Sequence, residues 1–215
     1  MSIIAIVAAR GGSVRLPGKA LLPFAGTRLI GHKIDTLKKC ESVDRIVVNT
    51  DCDTIRQEAV MHGATIIDGR DYDDDTREMI RDSADKVGGW NTDLILWAHP
   101  TNPLIGAETY ERAIRTYIDH CPPFDSLCSV YAVRRHAWMA GGPINYDPWA
   151  KHHTLARDLP PVLFQDGAIF IQPRGQMLAN RYFFGRHPLL FTVPDAEVGD
   201  IDTRRDYDLC TLSSC

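Results

Sequence analysis

The chain reads as an α/β protein built on a three-layer wound, mostly parallel sheet. Three observations predict it. Apolar, β-branched runs alternate with segments of helical period through most of the length. Those runs place apolar residues at consecutive positions rather than every second one, the mark of strands covered on both faces. The chain has 215 residues, 44% of them hydrophobic and 24% charged, which suits one domain around a single core.

Residues 3–9 form the first run, and 45–50, 65–68 and 93–98 the next three. Between them, 29–39, 52–62 and 76–88 place apolar residues at helical spacing, and 109–119 continues the pattern. Such a βαβ series winds into an open sheet whose ligands sit beyond the carboxyl ends of the strands. Residues 126–133 predict another strand. The stretch 138–161 then breaks the rhythm with Gly141-Gly142-Pro143, Asp147-Pro148-Trp149, His152-His153 and Pro160-Pro161. It is too punctuated for a helix and too aromatic for a flexible linker. We read 1–215 as a single domain in which 130–161 is an excursion that packs on something, a second copy of the chain being one option. Residues 167–172 and 189–193 are strand-like, and a closing helix starts at Thr203.

With 24 Lys and Arg against 28 Asp and Glu, the net charge is −4, and there is no basic block of the kind that wraps nucleic acid. No apolar run approaches the roughly 18 residues of a membrane span. The apolar opening lacks a basic leader and meets Arg10 and two glycines at once, so we read it as a buried strand rather than a signal peptide. Six scattered cysteines without a C-x-x-C pair indicate neither a zinc site nor a disulfide scaffold. A cytoplasmic protein with reduced thiols is expected.

Ala9-Arg10-Gly11-Gly12-Ser13-Val14-Arg15-Leu16-Pro17-Gly18-Lys19 follows the first strand directly. Glycines allow backbone N–H groups to approach an anion, and three cations within ten positions supply charge; a polyphosphate needs both. The spacing is neither Walker A nor the dinucleotide G-x-G-x-x-G. The plainer alternative is a solvated surface loop. This stretch resembles the signature of the CMP-sugar synthetases, cytidylyltransferases that activate acidic keto-sugars. Ala9 to Ser13 is similar to the sialic-acid branch, and Arg15 to Lys19 to the 3-deoxy-manno-octulosonate branch. Ala20 stands where the sialic-acid branch has Asn. Further likenesses lie at Val43–Asp51, Asp75-Thr76, Pro100-Thr101-Asn102-Pro103-Leu104 and Asp166-Gly167-Ala168-Ile169-Phe170-Ile171. The resemblance implies a nucleotide-diphospho-sugar transferase-like fold. It also implies that the loop wraps the triphosphate of CTP, with contacts from Ala9, Arg10, Gly11, Gly12, Ser13, Arg15 and Lys19, and that Arg70 helps hold the base.

Near the other end stands Gly199-Asp200-Ile201-Asp202-Thr203. On an extended segment both carboxylates point to one face, and Mg²⁺ favours one or two carboxylates with phosphate oxygens and water. Helix capping by Asp202 or Thr203 with Asp206 is the other reading, compatible with the first for different members of the run. The resemblance assigns Mg²⁺ to Asp200 and Asp202. It implies catalysis by Arg10, Lys19 and Asp202 through positioning and charge neutralisation, and no covalent intermediate.

For the sugar acid, the resemblance points to His99, Thr101, Asn102, Gln165 and Asp166. His99 stands where the sialic-acid branch has Gln; it is either a sugar ligand or a strand-end histidine satisfied by a neighbouring carbonyl. The segment after the fourth strand has no carboxylate and 163–166 has no Arg, so a relative of sialic acid, another nonulosonic acid, is expected over both common substrates. An octulosonate-type synthetase, a transferase for another sugar or polyol phosphate, and a non-catalytic nucleotide-binding homologue stay as alternatives. The acidic run 71–75 reads as a solvated turn, His152-His153 as packing, and Trp90, Trp97, Trp138 and Trp149 as core or interface anchors. The resemblance also implies a homodimer in which 130–161 of one subunit reaches its partner's sugar site.

Overall fold

The computed structural model describes residues 1–70, 72 and 75–213; Asp71, Asp73, Asp74, Ser214 and Cys215 lie outside them. Seven strands form the central sheet: β1 (Ile3–Ala8), β2 (Arg45–Thr50), β3 (Thr65–Asp68), β4 (Leu94–Ala98), β5 (Ser126–Val133), β6 (Val162–Pro173) and β7 (Pro188–Thr192). Their spatial order is β7-β5-β6-β4-β1-β2-β3. All neighbours run parallel except β6, which is antiparallel to both β4 and β5. Helices α1 (Leu29–Lys38), α2 (Asp53–Met61), α3 (Thr76–Lys86), α4 (Ala107–His120), α5 (Arg174–Asn180) and α6 (Arg204–Ser213) complete the chain.

The continuous apolar runs are explained by two cores. Ile3, Ala5 and Val7 of β1, with Leu94, Leu96 and Ala98 of β4, pack beneath α1, α2 and α4. The intervening Ile4, Ile6, Ile95 and Trp97 pack with Ile80 and Ala84 of α3 and Met177 of α5. Alternate residues of one strand therefore feed opposite layers, giving the expected three-layer architecture. A third cluster of Phe24, Leu29, Ile201, Tyr207 and Cys210 fastens α6 to the hairpin behind the first loop.

Two features differ from expectation. Helix α5 was not expected, because Arg174–Asn180 is only seven residues long and too short for a period to register. Strand β6 begins five residues early, and its first part pairs with β5 as far as Val162 against Val133. That pairing extends a two-stranded stem, from which 134–161 protrudes carrying a short strand pair at Trp138–Met139 and Gly142–Pro143. Of the tryptophans, Trp97 is core, whereas Trp90, Trp138 and Trp149 are exposed. His153 stacks on His136 at 4.8 Å between ring centroids, in line with a packing role.

Gly69, just past β3, is required by close approach. A Cβ there would meet Asn49 Oδ1 and come within 2.9 Å of the Thr50 carbonyl carbon. Backbone cannot yield as a side chain can, so Gly69→Ala is expected to lower stability by about 1–3 kcal/mol in urea denaturation.

Candidate active site

The carboxyl ends of β1, β2 and β4 open on one cleft with two lobes. The larger, of about 380 Å³, is lined by Arg10, Asn49, Thr50, Asp51, Gly69, Arg70, Tyr72, Asp75, Thr76, Met79 and Phe183, among others. The smaller, of about 200 Å³, is lined by Ser13, Arg15, Lys19 and Thr101 with their neighbours. Ala8, Ala9, Arg10 and His99 line both and so form the boundary. This is where a wound sheet presents its ligand.

The glycine-rich loop and the distant aspartates meet here. Lys19 Nζ donates to Ile201 O at 2.6 Å and to Asp202 Oδ1 at 3.1 Å. Arg15 Nη1 donates to the other oxygen, Oδ2, at 2.7 Å. Gly18, at φ 65°, turns the loop so that a one-turn 3₁₀ helix begins at Lys19. Gly11 N–H donates to Asp51 Oδ1 at 2.9 Å, which ties the loop's start to the end of β2. Thr101 links the third segment: its carbonyl accepts from Ile201 N–H at 2.8 Å, and its hydroxyl hydrogen-bonds Asp200.

Asp200 and Asp206 show why the acidic residues have separate roles. Crowding by protein raises the Asp200 carboxyl above its ordinary range; the Thr101 bond opposes this and the neighbouring Asp202 charge adds to it. Asp206 instead accepts from Thr203 Oγ1 at 2.8 Å and from its N–H at 2.7 Å, bonds that hold its carboxyl below the usual range. Thr203 and Asp206 thus form the reciprocal cap of α6, and Asp200 and Asp202 are left facing the loop. Among the described residues no group of three or more His, Cys, Asp or Glu is arranged for a metal. Two carboxylates two residues apart, facing the same loop, nonetheless fit a hard cation whose remaining ligands are phosphate oxygens and water.

Arg70 sits over the Tyr72 ring at 5.1 Å and donates to Glu78 Oε1 at 3.1 Å; both Arg70 and Tyr72 line the larger lobe. Opposite stands Phe183, which sequence reasoning missed. It stacks on Phe170 at 4.8 Å and 16°, in a turn held by Gln172 Nε2 donating to Tyr182 O at 2.5 Å. Its only sequence signal is the aromatic run 182–184 between elements. Asn49 and Thr50 fall within the Val43–Asp51 likeness but were not singled out as site residues, and Met79, an ordinary helix residue, carries no motif.

Four residues expected to touch a sugar are placed otherwise. His99 Nε2 accepts from Trp97 Nε1–H at 2.9 Å, and its Nδ1 bonds Gly167 O at 2.7 Å. No ring nitrogen is left for a ligand, which is the second of the two readings above. Burial pushes this imidazole below its ordinary pKa, against the Gly167 bond. Asn102 is only 1% exposed and donates to Asp166 O at 3.1 Å and Gly199 O at 3.3 Å, a tie between two segments, while its Oδ1 is buried with no partner among the described residues. Asp166 is buried, accepting from Ser129 Oγ and from Ala168 N–H. Gln165 is exposed on the stem opposite Val130 and lines neither lobe.

Known proteins share this chain's sequence pattern and fold. The sequence profile of the family described as Cytidylyltransferase matches residues 4–135. A CMP-N,N'-diacetyllegionaminic acid synthase of Legionella pneumophila is 29% identical over 97% of this chain and 94% of its own length. A pseudaminic acid cytidylyltransferase of Campylobacter jejuni is 23% identical over 99% and 96%. In fold, the chain is similar to a CMP:2-keto-3-deoxy-manno-octonic acid synthetase solved with CTP, at TM-score 0.73 and 18% identity over 99% of this chain and 98% of that one. With 132 consecutive residues matched, from 4 to 135, the chain belongs to the cytidylyltransferase family.

Proposed function

We propose that this protein transfers the cytidylyl group of CTP to a nonulosonic acid, a nine-carbon 2-keto-3-deoxy sugar acid. The products are the CMP-sugar and pyrophosphate. The observation that carries the reading is the clasp of Arg15 and Lys19 on Asp202, which joins a phosphate-type loop to a carboxylate pair across more than 180 residues. The names of the relatives from Legionella and Campylobacter support the acceptor class.

In this reading Asp202 is the counter-charge that holds Arg15 and Lys19 ready. A triphosphate entering the smaller lobe competes for the same cations, which close on it with Arg10, Ser13 and the N–H of Gly12, while the N–H groups of Ala9 and Gly11 are spent on Asn49 O and Asp51 Oδ1 and hold the loop in place. Cytosine occupies the larger lobe between Arg70 and Phe183. Asp200, oriented by Thr101, and Asp202 would hold Mg²⁺, which supplies charge neutralisation of the phosphates and a more acidic acceptor hydroxyl. The anomeric hydroxyl oxygen forms a bond to the α-phosphorus and the bond to the β-phosphate oxygen breaks. Pyrophosphate leaves, and the hydroxyl proton passes to solvent. Arg10 and Lys19 stabilise the charge gathering on the phosphates.

The protruding segment 134–161 bears exposed Trp138, Met139, Ile144 and Trp149, and large apolar side chains exposed on one segment suit a protein–protein contact. We assign it to a homodimer contact, with 1–215 as one domain, and place the reaction in the cytoplasm beside the CTP pool. Among the described residues no helix is long and apolar enough to cross a membrane. The test is pyrophosphate release from CTP and Mg²⁺ with a panel of eight- and nine-carbon 2-keto-3-deoxy acids. Release confined to nine-carbon acids and abolished by EDTA is expected; release with the eight-carbon acid alone overturns the acceptor.

A further inference from the structure

His99 sits where the two lobes meet, yet both its ring nitrogens are committed to the protein. Because Trp97 Nε1 can only donate, Nε2 accepts at 2.9 Å, and the ring proton must lie on Nδ1. That proton is then donated to Gly167 O at 2.7 Å. One bond fixes the tautomer that the other requires. The ring is also pinned by edge contacts to Phe183 at 5.7 Å and Phe170 at 6.3 Å.

Gly167 is the reason this bond has reach. It lies at φ 72°, inside the irregular stretch of β6 where pairing with β5 shifts register between Gln165 and Phe170. Positive φ and a shifted register mark a bulge, a segment whose position depends on what holds it. Ser129 Oγ holds the side chain of Asp166, and Asn102 Nδ2 holds its carbonyl at 3.1 Å. His99 holds the next carbonyl. Two residues on, Thr101 binds both Ile201 and Asp200. The segment 99–102 therefore couples the bulge of β6 to the aspartate segment.

We propose that His99 is a positioning residue: as its neutral Nδ1–H tautomer it locks the β6 bulge to the end of β4, and so aligns the segment from His99 to Thr101 with Asp200 at the boundary of the lobes. The proposal rests on the reading of this cleft as the site of cytidylyl transfer. His99 meets a wall of the larger lobe through the edge of its ring on Phe183, a contact that a Phe at this position keeps, so loss of the two ring nitrogens falls on the aligned segment and on turnover more than on nucleotide affinity.

The test compares His99→Phe, which keeps a ring without nitrogens, with His99→Asn and His99→Gln. An Asn amide reproduces the donor at Nδ1, whereas a Gln amide reproduces the acceptor at Nε2. Expected for His99→Phe is a fall of about tenfold or more in kcat/KM for the acceptor, with the dissociation constant for CTP within twofold of wild type. His99→Asn should recover at least a third of wild-type kcat/KM, and His99→Gln less. Wild-type kinetics in His99→Phe with only a lower melting temperature overturns the proposal. So does equal impairment of the Asn and Gln variants. If His99→Phe does not fold, the Asn–Gln pair decides: Asn near wild type with Gln impaired supports the lock, and the reverse order overturns it. Asp202→Asn run alongside separates the two levels. If it is fully active, the cleft is misassigned; if it is inactive while His99→Phe is unimpaired, only the His99 inference fails.

Discussion

Asp202→Asn is expected to keep its fold and lose roughly 10²–10³-fold in kcat for pyrophosphate release. The substitution removes one negative charge and leaves the shape. Arg15 and Lys19, which contact the two carboxylate oxygens at 2.7 and 3.1 Å, lose their counter-charge, and one of the two oxygen ligands proposed for Mg²⁺ becomes an amide. Stability should change little, since Arg15 is largely exposed and such ion pairs contribute at most weakly. Asp206→Ala is the control four residues away. It removes the reciprocal cap made with Thr203 and the bond from Asp202 N–H at 3.2 Å, so it should cost about 1 kcal/mol of stability with a far smaller loss of kcat than Asp202→Asn. Measuring both variants by denaturation and by turnover separates chemistry from capping. An Asp202→Asn enzyme of wild-type kcat would remove the carboxylate from the mechanism.

The second large effect is on stability against pH. Lys33 of α1 is fully buried, donating to Asn102 O at 2.8 Å and to Tyr110 OH at 2.7 Å. Burial lowers its amine from 10.5 to about 7, against the nearby Cys40 and Glu197. Between pH 7 and the unfolded value near 10, the folded protein holds a neutral amine while the unfolded chain carries an ammonium. Unfolding then takes up a proton, so this group makes stability rise with pH by up to about 1.4 kcal/mol per unit. Below pH 7 both states are protonated and its contribution stays at the minimum. Burial also raises Cys40 and Cys128 to about 12. Those thiols act in the opposite direction once the unfolded chain begins to ionise near pH 8.5. The clean window is therefore pH 7 to 8.5, where wild type should gain roughly 2 kcal/mol and Lys33→Met should stay flat. Urea titrations at four pH values check this; equal slopes in the two proteins would show that Lys33 is not neutral when folded.

Lys33 also shows what a sequence conceals. It lies in a segment of helical period, where a lysine ordinarily marks the solvent side, and nothing local says that α4 and the loop after β4 close over it. The surroundings of Asn102 and Asp166 are hidden for a related reason. A polar residue beside a strand end looks like a ligand contact until its partners are known: Asn102 donates to the Asp166 and Gly199 carbonyls and Asp166 accepts from Ser129, while Asn102 Oδ1 and Asp166 Oδ2 stay buried with no hydrogen-bond partner among the described residues. Phe183 was overlooked from the other side, an aromatic residue in a turn whose place in the cleft depends on stacking with Phe170.

The alternation of strands and helices apart from α5, the phosphate-type loop after β1 and the capped Asp-x-Asp segment were legible in the sequence alone. Each is a short-range pattern: a period, a turn composition, a spacing of two or three residues. Only the tertiary structure decided which groups meet. Placing β4 and β1 at the centre of the sheet brings residues 10–19, 99–101 and 200–202 to one rim, and turning β6 antiparallel sets its bulge against His99. Contacts across 68 to 187 residues follow from how two cores pack against one sheet, and no local pattern records that packing.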